Sequence, residues 1–65
     1  MLAWLHRQVR LLGPVDRALM FLHLEGETYR EIADVLGISE SNVGVKLSRI
    51  KQRFADSARR EFNGL

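Results

Sequence analysis

Between Ser41 and Arg53 the chain sets hydrogen-bonding and cationic side chains at helical spacing: Ser41, Asn42, Lys46, Ser48, Arg49, Lys51, Gln52 and Arg53, with Val45 among them. From Lys46 to Arg53 there are four bases and no acid. These residue types bind rather than react. Asn42 can donate to and accept from the edge of adenine, Arg49 can pair with guanine or clamp a phosphate, and Val45 can touch a thymine methyl. Lys46, Lys51 and Arg53 suit phosphate oxygens, as does Thr28 if it opens a helix, where free amides and the helix dipole favour an anion. Other chemistry is sparse. His6 and His23 are lone histidines without a paired nucleophile or metal-ligand spacing, and there is no cysteine. No catalytic residue, metal site, cofactor or small-molecule substrate is expected, and the chain does not read as an enzyme.

The charge distribution supports a polyanion partner. The net charge is only +2, but residues 1–38 carry four arginines against five acids, while residues 39–65 carry six bases against three acids. A basic stripe on an otherwise balanced chain points to one face that meets nucleic acid. With 65 residues the chain is one domain, and a domain this short buries only about 60% of its unfolded surface. Without disulfides its stability must come from helix packing. No apolar run approaches the roughly 20 residues that span a membrane, and the start lacks the order of a signal peptide. A cytoplasmic protein without a membrane role is expected.

The elements that must position these residues are helices. Residues 2–12 place Leu2, Leu5, Val9 and Leu12 on one stripe, with Trp4 and Leu11 widening it. That extra apolar surface either closes the local core or docks a partner; with Phe21 it makes a candidate partner-binding set of Trp4, Leu11 and Phe21. Gly13-Pro14 ends this helix and opens the next, over residues 14–24. There Val15, Ala18, Leu19 and Leu22 are expected in the core, while Met20, Phe21 and Leu24 make most of the helix apolar. Gly26 breaks it. Thr28-x-x-Glu31 is a capping box for a helix over 28–36, whose buried face is Tyr29, Ile32, Ala33 and Leu36. Ser39 caps a helix over 40–60 with a core stripe of Val43, Leu47, Ile50 and Phe54. Asn63-Gly64-Leu65 should fray. No strand pattern is present, so the fold is all-α.

The third and fourth helices have the residues of a helix-turn-helix. Ala33 is small where the fourth helix must pass close, Gly37 can adopt the positive φ of the turn, Ile38 plugs the gap, and Val43 locks the crossing. With the core stripe turned inward, Ser41, Asn42, Gly44, Val45, Ser48, Arg49 and Gln52 face out, where the first turns of a recognition helix meet base edges. Gly44 offers no side chain and costs about 1 kcal/mol against alanine in a helix interior. It either lets the backbone approach the groove or has no role.

At these residues the sequence resembles region 4 of bacterial sigma factors, most closely the extracytoplasmic-function group. The resemblance runs over about residues 10–55: Leu12, Pro14 and Arg17; Glu25-Gly26; Tyr29, Glu31, Ile32, Ala33, Leu36, Gly37, Ile38 and Ser39; then Val43, Leu47 and Arg49. It implies a small four-helix domain, related to winged-helix domains but without a wing, that binds double-stranded DNA at the -35 promoter element. It further implies docking on the β flap of RNA polymerase, with an anti-sigma factor as an additional partner, in a bacterial cytoplasm. Many members have Thr at Asn42 and a base at Gly44, which shifts weight here to Lys46, Ser48 and Arg49. A complete factor also carries a region 2, so the expectation is an isolated C-terminal domain with an added start methionine rather than a stand-alone protein. Two other readings compete: the helix-turn-helix output domain of a response regulator, and a protein-interaction module of the same fold.

Overall fold

The computed structural model describes residues 2–62. They form four helices: α1 (Leu2–Leu11), α2 (Pro14–Leu24), α3 (Tyr29–Leu36) and α4 (Glu40–Phe62). Among the described residues there is no strand, and the architecture is the all-α helix-turn-helix domain that the periodicity implies. The expected fraying at Asn63-Gly64-Leu65 lies outside the described residues.

Each helix boundary has a local cause. Gly13 is extended and Pro14 occupies the first turn of α2, where a missing N–H costs nothing. At its other end the Glu27 N–H donates to the Leu22 carbonyl (3.1 Å) and the Gly26 N–H to that of His23 (3.1 Å), with Gly26 at φ +89°. This pair of reversed bonds satisfies carbonyls the helix leaves free, and needs a residue that tolerates positive φ. The capping box is formed: the Thr28 N–H donates to Glu31 Oε1 (3.0 Å) and the Glu31 N–H to Thr28 Oγ1 (3.1 Å). Gly37, at φ +68°, ends α3, and the Ile38 N–H donates back to Ala33 (3.1 Å). Ser39 Oγ then accepts from the Asn42 N–H (3.0 Å) and starts α4.

The core is Leu12, Leu19, Met20, Ile32, Ala33, Val43, Leu47 and Ile50. It lies where α2, α3 and the first half of α4 meet. Ile38 and Leu36 pack on it from the turn, and Phe54 closes it from below. Ala33 is buried at the crossing of α3 and α4, as its size requires.

Three expectations are corrected. The inward face of α2 is turned: Leu19 and Met20 are buried and Asp16 and His23 half-buried, while Val15 is 49% exposed. A helix apolar on most of its surface does not fix its own phase. Here the Asp16 carboxylate lies against Lys46 of α4, at 3.7 Å, and Met20 rather than Val15 fills the core. Tyr29, expected on the buried face, is 42% exposed, because α3 is only two turns long and its first residue projects beyond the core. Leu2 is also exposed, and α1 has no buried residue at all. That helix lies along the distal half of α4, its Leu5 and Val9 facing α2 across an open cleft, so it buries little. Trp4 holds it there: its Nε1 donates to Ser57 Oγ (3.1 Å), and its ring meets Phe54 and Phe62 edge-on, at 6.2 and 5.7 Å between centroids. Arg7 adds an ion pair to Glu61 (3.2 Å). The result is elongated, 41 × 19 × 19 Å, with α4 running most of its length.

Candidate nucleic-acid interface

Burial of Val43, Leu47 and Ile50 turns the opposite side of α4 to solvent. At 3.6 residues per turn, Ser41, Val45, Ser48 and Gln52 form the centre of that side. All four are exposed. Their side chains are short until Gln52, so the helix presents a slim ridge over its first turns, of a width that the roughly 12 Å major groove admits. The Ser39 cap, the Gly37 turn and the core stripe hold this ridge in place without help from α1.

Polar and basic residues flank the ridge, and the two flanks differ. Asn42, Lys46, Arg49 and Arg53 lie on one, Gly44 and Lys51 on the other. Asn42 and Arg49 are exposed, and Arg49 makes no ion pair among the described residues. Lys46 is half-buried and engaged with Asp16. That pair is partly solvated and longer than a hydrogen bond, so it contributes modestly; the buried Asp16 Oδ1 has no hydrogen-bond partner. Arg53 borders a polar hollow between α1 and α4, with Gln8, Asp56 and Arg60. Lys51 stands instead on the rim of an apolar cleft. Of the four bases that sequence places in one stripe, Lys46, Arg49 and Arg53 thus share a flank and Lys51 lies apart.

Thr28 is at the first turn of α3 as expected, but its hydroxyl and N–H are committed to Glu31. Glu31 is held below the ordinary glutamate value, first by the Thr28 backbone N–H, then by the Thr28 hydroxyl and by Glu27. Glu27 is pushed above it, first by its hydrogen bond with the Glu31 carboxyl and then by that group's charge. The positive end of α3 therefore already carries a carboxylate of its own.

Gly44 is half-buried beside Tyr29: a Cβ there would stand 3.6 Å from Tyr29 Cε2, an ordinary contact. Sterics do not require the glycine. The space next to it belongs to an aromatic ring that the pattern of α3 had assigned to the core.

Away from the ridge, Leu11 and Phe21 are exposed, whereas Trp4 is packed on α4. A cleft of about 290 Å³ opens between α1, α2 and α4, lined by Leu5, Val9, Met20, Leu24 and Phe54 with His23 and Lys51 at its edge. Sequence reasoning missed it, since its residues come from three helices; the one available signal was an α2 too apolar for a single neighbour. Among the described residues no cluster of three or more His, Asp or Glu is placed to hold a metal ion, and no helix is long and apolar enough to cross a membrane.

No curated protein and no solved structure matches the chain. A family model described as sigma-70, region 4 does, over residues 2–54, which takes in α1, α2, the helix-turn-helix and α4 as far as Phe54. The family's general role is DNA binding in transcription initiation, and the chain belongs to the sigma-70 region 4 family.

Proposed function

We propose that this domain recognises the -35 element of a bacterial promoter through α4 and docks on the β flap of RNA polymerase through the cleft between α1, α2 and α4. The observation that carries the first part is the exposed ridge of Ser41, Val45 and Ser48, flanked by Asn42 and Arg49 and backed by a buried stripe. Asn42, Val45, Ser48 and Arg49 would meet base edges; Ser41, Lys46, Lys51 and Arg53 would meet the backbone, with Thr28 a weaker phosphate contact than its position suggests because Glu31 occupies it. Lys46 would have to exchange Asp16 for a phosphate. The second part is supported by the apolar cleft, where Leu24 is 74% exposed. An apolar side chain left in water at the edge of a groove suits a partner helix. An anti-sigma factor that competes for this surface is a further expected partner, in the cytoplasm.

A fluorescence titration of promoter duplex at several salt concentrations tests the DNA reading. Arg49→Ala should weaken the specific site by about 1–3 kcal/mol and random DNA little, whereas Lys51→Ala should weaken both alike and lower the salt slope by about one. No binding at low salt would end the proposal. For the second surface, Leu24→Glu should abolish capture of a β flap fragment while leaving DNA affinity within about twofold, because it desolvates a charge in the cleft and touches nothing on the ridge. Unchanged flap capture would move the docking site elsewhere.

A further inference from the structure

We infer that Tyr29 belongs to the DNA-binding surface and donates its hydroxyl to a backbone phosphate, occupying the flank of α4 that Gly44 leaves without a side chain. The inference rests on the DNA reading above. Tyr29 is the first residue of α3, and its Cε2 lies 3.6 Å from where a Cβ on residue 44 would be. By helical phase residue 44 adjoins Ser41 and Ser48 of the exposed ridge, so the ring extends that ridge sideways. The side chain is 42% exposed, and its hydroxyl makes no hydrogen bond among the described residues. A tyrosine needed only to cover Gly44 would have no use for that hydroxyl.

The charges around it decide what it can hold. Glu27 and Glu31 lie at the same helix end, where the Glu31 carboxylate already accepts the N–H of the Thr28 cap. A phosphate is therefore poorly served by the helix dipole at this point. A neutral hydroxyl donor set to the side, with exposed Arg30 next to it in sequence, can still donate to a phosphate oxygen. The contact carries no base information; it fixes how far α4 enters the groove on the Gly44 side.

Tyr29→Phe keeps the ring and removes only the donor. Its affinity should fall about threefold to tenfold for a short random-sequence duplex and for a duplex selected from a random pool, with their ratio unchanged, the loss of one solvent-exposed hydrogen bond. Its melting temperature should stay at the wild-type value. Single methylphosphonate replacements along both strands should reveal one phosphate whose neutralisation weakens the wild type and not Tyr29→Phe. Wild-type affinity for both duplexes in Tyr29→Phe, or no phosphate that distinguishes the two proteins, overturns the inference and leaves the DNA reading standing. Failure of the wild type to bind either duplex at low salt overturns both.

Discussion

The two halves of α4 make contact with the rest of the chain in different ways. The first half is clamped: Val43, Leu47 and Ile50 are buried against α2 and α3, and both ends of the turn before it are capped. Beyond Phe54, which still reaches the core and the α2 side of the cleft, the second half has α1 beside it. There the contacts are a single indole hydrogen bond, two edge-on aromatic pairs and an exposed ion pair, and α1 buries no residue completely. Packed aliphatic cores resist displacement because every shift opens a void. A helix held by a few edge contacts can slide at small cost. Under the proposed function the clamped half faces DNA, where a misplaced side chain loses its base, and the loosely covered half faces a protein partner, where adjustment is an advantage.

The difference can be tested in order of expected effect. Ile32→Ala removes the centre of the clamped half and should cost about 2–5 kcal/mol by urea unfolding, enough to unfold a domain of this size. A loss below about 1 kcal/mol would mean the core is not the organising contact. Trp4→Ala should cost less, about 1–3 kcal/mol, and amide exchange should quicken in α1 and over residues 55–62 while α3 stays protected. If α3 lost protection equally, the two halves would be one cooperative unit and the contrast would fail. The smallest effect belongs to the cap at Thr28. Glu31 has a lowered pKa in the fold, so its contribution is present above its unfolded value and is lost as pH falls through the folded one. Glu27 has a raised pKa, so its contribution is present below its unfolded value and is lost as pH rises through the folded one. Protection of the Thr28 and Glu31 amides should therefore peak in the mildly acidic window between the two carboxyls. Protection that rises steadily to neutral pH would mean that the Glu27–Glu31 hydrogen bond does not form in solution.

What sequence could show tracks how strongly each helix is amphipathic. The stripe Val43, Leu47 and Ile50 admits one phase, so the exposed ridge of α4 is legible to the residue. The stops at Gly26 and Gly37 and the caps at Thr28 and Ser39 are legible because each has a local cause within four residues. The rotation of α2 is not, since Val15, Met20, Phe21 and Leu24 offer apolar surface on every side and only the partner helices choose among them. Nor is the outward position of Tyr29, which depends on α3 being two turns long. The pairing of Lys46 with Asp16 and the cleft under Leu24 join residues far apart in sequence, and no local pattern encodes them. The family match supports DNA binding in transcription initiation as the general role of the domain; which residues touch which atoms of DNA is the part that the substitutions above address.

One consequence follows from the continuity of α4. The ridge around Val45 and the cleft residue Phe54 belong to the same unbroken helix. Their separation is therefore set at 1.5 Å per residue, about 14 Å, and their relative bearing at about 100° per residue. Under the proposed function the helix works as a calibrated spacer between the DNA and the partner in the cleft. A single residue inserted between Ile50 and Phe54 would leave the ridge in place yet turn Phe54 away from Met20 and Leu24 by more than a quarter of a revolution, so that the cleft would lose the side chain that α4 gives it.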